Sequence, residues 1–300
     1  GIDLYQTREK FYFEEYDTLE MRYTENNVDI WAGRSFEFKK RLNLIFTARL
    51  DMHDFTSRPF VSSDSNSFFY DRNFVLGSVW LTKRNFLKSL RIRGFGRTED
   101  IPTGGAASIL LGTEINEFAN RSYVELGGTF GNYFTRIGYV NLSSSIGSFF
   151  NSGKSEDGVL AITGNYFSDL IKLRKTYLRQ FLYFTYTRGF NRILDRTISL
   201  SGKWRDENNR SPLGSNRITL GLESVYFMPW YFYGFQYALF YRVDLIFLGY
   251  HGELFDKKSQ FFTIRVGARV LNENLVLPSF SVELGYFGKN QLYGSAWEVK

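Results

Sequence analysis

The sequence has no cysteine, and only 5 prolines and 2 histidines among its 300 residues. The lack of cysteine rules out a disulfide framework and is in keeping with an oxidising envelope compartment. No run of about 18 or more apolar residues exists, which excludes a helical membrane span. The opening stretch, GIDLYQTREK, lacks the charged and apolar regions of a signal peptide, so it reads as the start of a mature chain or of a fragment. Signals of chemistry are as sparse. There is no G-x-S-x-G nucleophile elbow. His53, near Asp51 and Asp54, and His251, in GYHGELFDKK, both lack a ligand set at metal-binding spacing. No enzyme activity, cofactor or metal site is expected.

What the chain does have is aromatic residues, 31 Phe and 20 Tyr among them, within a slightly negative mean hydropathy. The apolar residues are diluted one for one by polar ones. In GFQYALFYRVDLIFL (234–248), Phe235, Tyr237, Leu239, Tyr241, Val243, Leu245 and Phe247 share one parity; Gly234, Gln236, Ala238, Phe240, Arg242 and Asp244 share the other. Period-two alternation marks a strand with two unlike faces. Its length exceeds the 5–6 residues or so of an average soluble strand and suits the roughly 9–11 that cross a bilayer. The pattern recurs. Leu44, Phe46, Ala48, Leu50 and Met52 oppose Asn43, Thr47, Arg49 and Asp51. Ile218, Leu220, Leu222, Tyr226 and Met228 oppose Arg217, Thr219, Gly221 and Glu223. Phe262, Ile264, Val266, Ala268 and Val270 oppose Thr263, Arg265, Gly267 and Arg269. Phe280, Val282, Leu284 and Tyr286 oppose Ser281, Glu283 and Gly285.

These observations predict an all-β fold: one transmembrane antiparallel β-barrel domain over 1–300, of about 14–16 strands, with lipid on the apolar face and a wet, charged lumen on the other. A large soluble β-sandwich or propeller also alternates, but would have shorter strands and more proline-rich turns. Turn signals fall at ENN (25–27), SSDSNS (62–67), NSGKSEDG (151–158), DENNRSPLGSN (206–216) and LNEN (271–274). MPWYFYGF (228–235) reads as an aromatic turn, with Trp230, Tyr231 and Tyr233 at the headgroup layer. KLRKTYLR (172–179) reads as a loop-proximal cationic patch or a snorkelling rim rather than a nucleic-acid site. The net charge of +6 suits contact with anionic lipid, or plain solubility. On the inner face, Arg217, Glu223, Arg242, Asp244, Arg265 and Glu283 are expected to form one charge network, which either anchors a loop or simply fills and stiffens the barrel.

Several ordered segments resemble the BamA/TamA superfamily of outer-membrane barrels, also called the bacterial surface antigen family. They are RGFNR (188–192), NRITLGLESVYFMP (216–229), GFQYALFYRVDLIFLG (234–249) and RVGARVLNENLVLPSFSVELGYF (265–287), with GRTEDIPTG (96–104) and IWAGRSF (30–36) earlier. The resemblance implies a 16-stranded barrel in the bacterial outer membrane, whose first and last strands meet weakly. It implies insertion of other β-barrels into that membrane, or translocation of polypeptide, with no cofactor. Implied partners are outer-membrane lipid and lipopolysaccharide, together with client β-barrel proteins or other subunits of an envelope complex. In the family a long outer loop folds into the lumen with an Arg-Gly-Phe or Arg-Gly-Tyr tip. The matching position is Arg205, followed here by Asp206 and Glu207 instead of Gly and an aromatic residue. Intact Arg-Gly-Phe triplets occur only elsewhere, at Arg93 and Arg188. Periplasmic modules are expected to lie outside this stretch, and SAWEVK is expected to stop about where a final strand begins. The departures leave open a structural subunit of a larger envelope complex, or a passive pore.

Overall fold

The computed structural model describes residues 1–12, 20–63, 65–92, 98–192, 197–200, 204, 211–272, 280–288 and 297–299. Fourteen strands follow one another along a single antiparallel sheet. They are β1 Ile2–Tyr12, β2 Glu20–Lys39, β3 Leu42–Ser57, β4 Arg72–Leu90, β5 Thr98–Asn116, β6 Asn120–Phe134 and β7 Gly138–Asn151. They continue as β8 Lys154–Phe167, β9 Thr176–Phe190, β10 Asn216–Phe232, β11 Phe235–Gly249, β12 Gln260–Asn272, β13 Phe280–Gly288 and β14 Trp297–Val299. Each pairs with its sequence neighbour, a plain meander. A three-residue piece, Ile171–Leu173, pairs with the start of β9, and Ile198–Ser199 with Leu213–Gly214. The helical content among the described residues is two single 3₁₀ turns, Ser67–Phe69 and Lys257–Ser259.

The alternating pattern sets which face is which. On β11 the odd residues Leu239, Tyr241 and Leu245 are exposed, whereas the even residues Ala238, Phe240, Asp244, Ile246 and Leu248 are buried. The same exposed apolar parity holds for Leu220 and Leu222 on β10, Ile264 and Val266 on β12, and Ile109 and Leu111 on β5. So large a continuous apolar surface is foreign to a water-soluble monomer.

The sheet curls around its polar face. The Arg179 guanidinium on β9 donates to the Leu90 carbonyl at the end of β4, 2.8 Å away. In a flat sheet those strands, five apart, would lie roughly 24 Å from each other. A second chord joins Phe74 on β4 to Phe149 on β7, with centroids 6.5 Å apart.

The two rims differ. One carries compact turns, such as Lys40–Arg41 and Tyr233–Gly234; the latter has φ 49° and 81°, the left-handed pair that suits a tight hairpin. The other carries the long connections 58–71, 191–215 and 250–259.

Several expectations need correcting. ENN (25–27) is not a turn but the middle of β2, where Asn27 is 3 % exposed and pairs across to β1 and β3. Glu25 and Asn27 bond His53 across the β2–β3 pairing and Asn26 accepts from Gln6 on β1, so the triplet resembles a loop only in composition. In MPWYFYGF, β10 runs on to Phe232 past an irregularity between Phe227 and Tyr231, and only Tyr233–Gly234 turns. Pro229 sits within that irregular stretch, where a missing N–H is tolerated. In LNEN, Leu271 and Asn272 belong to β12, and the rest falls outside the described residues. Trp297–Val299 does form a short strand on β13.

The interior is also not uniformly polar. At the compact-turn mouth Ile101, Tyr139, Phe167, Phe181, Val225, Phe227, Ala238 and Phe240 form one buried cluster. The β4–β5 hairpin folds over this mouth. Exposure switches parity along it, from Val79 and Leu81 to Phe86 and Leu90 on β4. The switch lies beside Gly104, at φ +118°, where a Cβ would overlap the Lys83 carbonyl. Past that kink Ile92 packs against the cluster and the Arg91 guanidinium lies 4.3 Å from the Tyr177 ring centroid.

Candidate functional site

The inner faces of β9 to β12 bring five charged side chains together. Asp244 on β11, 4 % exposed, accepts from Arg242 Nε at 2.9 Å, from Thr263 Oγ1 at 3.2 Å and from Arg265 Nη2 at 2.5 Å. Glu223 on β10, 3 % exposed, accepts from Arg269 Nη2 at 2.6 Å and Tyr183 Oη at 3.2 Å, and Arg242 Nη1 lies 3.8 Å away. Register explains the grouping: Glu223 pairs with Arg242, and Arg242 with Arg265. The cations also stack, Arg242 over Tyr183 at 4.7 Å and Arg269 over Phe240 at 4.4 Å. Three guanidiniums thus surround two carboxylates. Burying carboxylates this deeply requires several donors each, and both have them.

Of the residues picked from the sequence, Glu223, Arg242, Asp244 and Arg265 meet. Arg217 does not; its Nε has no hydrogen-bond partner among the described residues. Glu283 faces the same side, paired in register with Gly267, but joins no ion pair among the described residues. Arg205 lies outside the described residues. Arg269 and Tyr183 were missed. Arg269 has the inward parity of its strand and could have been chosen on that ground. Tyr183 comes from β9, and only the register of β9 with β10 puts it beside Glu223. Trp230, Tyr231 and Tyr233 are exposed by 57, 58 and 87 % on the compact-turn rim.

The connection between β9 and β10 turns inward. Trp204 is buried against Phe261 and Phe287, with ring centroids 6.0 and 5.4 Å away, in a cluster with Leu200, Ile246 and Leu248. Ile246 and Phe261 are the inner-face neighbours, two residues along, of Asp244 and Thr263. Trp204 therefore occupies the next layer of the lumen, on the long-loop side of the acids. Its Nε1 has no hydrogen-bond partner among the described residues.

Two further clusters sit towards the long-loop end. Arg121, 5 % exposed, donates to Glu114 at 2.5 and 2.9 Å and to Asp157 at 2.9 Å. Arg58 clamps Glu117 and lies 3.1 Å from Asp71. His53 meets Asp51, one of its two sequence neighbours, and Glu25 from the adjoining strand. Its ring touches Glu25 at 2.6 Å and Asp51 at 3.2 Å, because β2 and β3 align all three on one face. No group of three or more His, Cys, Asp or Glu among the described residues could hold a metal ion.

Among solved structures, the chain is similar to the crystal structure of BamA from Haemophilus ducreyi lacking POTRA domains 1–3. The TM-score is 0.48 at 11 % identity, covering 94 % of this chain and 62 % of that one. The chain thus spans less than two thirds of that chain's length. No protein-family profile matches the sequence, and no curated protein does.

Proposed function

We propose that the protein is an outer-membrane β-barrel of the BamA/TamA type. It takes part in inserting or assembling other outer-membrane β-barrels, or in moving polypeptide across that membrane, with no cofactor and no catalysed reaction. The observation that carries this reading is the inward-turned connection. Trp204 is packed on the inner wall, one layer from the acids that hold Arg242 and Arg265. This is where the sequence resemblance puts a lumenal loop, and the network is then its seat. The exposed apolar belt supports a lipid-facing wall, and the compact turns would face the periplasm.

The apolar cluster and the folded-over hairpin speak against a passive pore, which should conduct steadily in a planar bilayer. A structural subunit of an envelope complex is the second reading, favoured by Asp206 and Glu207 in place of the family's glycine and aromatic residue. Depleting the protein and quantifying the outer-membrane proteome tests the proposal. A broad fall in other β-barrel proteins is expected. An unchanged proteome sinks the assembly role, and a stable partner on co-purification would then favour the subunit.

A further inference from the structure

We infer that the outer wall from β7 to β11 holds one anionic phospholipid, with its phosphate on a basic collar at the compact turns and an acyl chain in an apolar cleft below. The inference rests on the lipid-facing reading of that wall.

The cleft has a volume of about 590 Å³ and a nearly wholly apolar lining. Its outer side chains lie in rows fixed by the register. One row runs Leu142, Gly164, Phe184, Leu220, Leu245 across five strands. Gly164 is the gap in it. A Cβ there would meet Phe184 Cβ at 3.6 Å and Leu142 Cδ1 at 3.9 Å, ordinary contacts. Packing does not demand glycine, and its missing side chain is what opens the depression.

The collar adjoins the cleft directly. Tyr166, which lines the cleft, donates its hydroxyl to the Ile137 carbonyl at 2.7 Å, next to Arg136. The neighbouring turn carries Arg174 and Lys175, and Tyr133 Oη to Asp169 at 2.6 Å ties the two turns together; Lys172, paired with Tyr177, has the inward parity. Arg136, Arg174 and Lys175 are exposed and have no carboxylate partner among the described residues. Arg58 and Arg121, at the other end, are fully paired. Val140 begins the cleft two residues into β7, about 7 Å along the strand from the turn that carries Arg136. That is within the roughly 15 Å depth of one leaflet's hydrocarbon. A phosphate at the collar therefore places its own chain in the cleft, and unpaired surface cations attract anionic headgroups.

The cysteine-free chain allows unique labels. A fluorophore at Leu245→Cys reports on the cleft, and one at Leu111→Cys on the far wall at β5. In phosphatidylcholine vesicles, phosphatidylglycerol with brominated chains is titrated as quencher. The cleft label should reach half-quenching at about fivefold lower mole fraction, the factor expected for about one surface cation's attraction. Arg136→Ala/Arg174→Ala/Lys175→Ala should erase the difference, and Gly164→Leu should do so by filling the cleft. Labels that titrate together, or a difference that survives the charge variant, overturn the site. Brominated phosphatidylcholine should quench both labels equally. If it quenches neither, the lipid-facing reading fails and takes the site with it.

Discussion

At the compact-turn mouth the interior is closed by carbon, with Phe167, Phe181, Phe227 and Phe240 packed under a folded hairpin. One to two inner-face positions along the same strands it is closed with charge, Glu223 and Asp244 held by three arginines. Phe240 belongs to both, since the Arg269 guanidinium lies on its ring. The difference shows how a barrel can be filled without one continuous dry core. Aromatic packing serves where strands and hairpin approach closely, and paired ions serve where the wall also seats the inward connection.

The largest expected effect breaks the charged half. Asp244→Ala leaves Arg242 and Arg265 without their shared acceptor and should cost about 3 kcal/mol, read as a lower temperature of heat-modifiable migration in detergent. Asp244→Asn, which keeps an acceptor, should cost less. Phe181→Ala attacks the apolar half through a cavity and should also cost about 3 kcal/mol. Unlike Asp244→Ala, it should raise ion conductance in planar bilayers. If the two variants conduct alike, the mouth is not the barrier.

Gly104→Val sharpens the contrast by straining only the kink. We expect a loss of about 2 kcal/mol together with protease cleavage at the β4–β5 tip. Trp204→Ala should leave the mouth closed while exposing the 191–215 connection to protease, at a loss of about 3 kcal/mol or less.

The smallest effect is at the long-loop rim. The Arg58 hydrogen bond holds the Glu117 carboxyl below its ordinary range. A carboxyl depressed in the folded state gives stability that is present above its unfolded pKa of about 4.3. That stability is lost as pH falls through the lower folded value. Docking of the 58–71 connection should therefore loosen only in acid, by less than about 1 kcal/mol, and Glu117→Gln should abolish the pH dependence seen by limited proteolysis.

The sequence by itself determined the all-β class, the strand-by-strand parity and the inward placement of Glu223, Arg242, Asp244 and Arg265, because side-chain direction in a strand alternates with a fixed period. It was misleading at Asn27 and at Trp230 to Phe232, where local composition imitates a turn but strand pairing prevails. Only the tertiary structure decided which inward residues meet. Tyr183 joins Glu223, and Glu283 stays apart, through registers between strands that no single segment encodes. The closure of the mouth is of the same kind. Gly104 is legible as a glycine, but the chord from Arg179 to Leu90 exists only once the sheet has curled enough to bring β4 and β9 face to face.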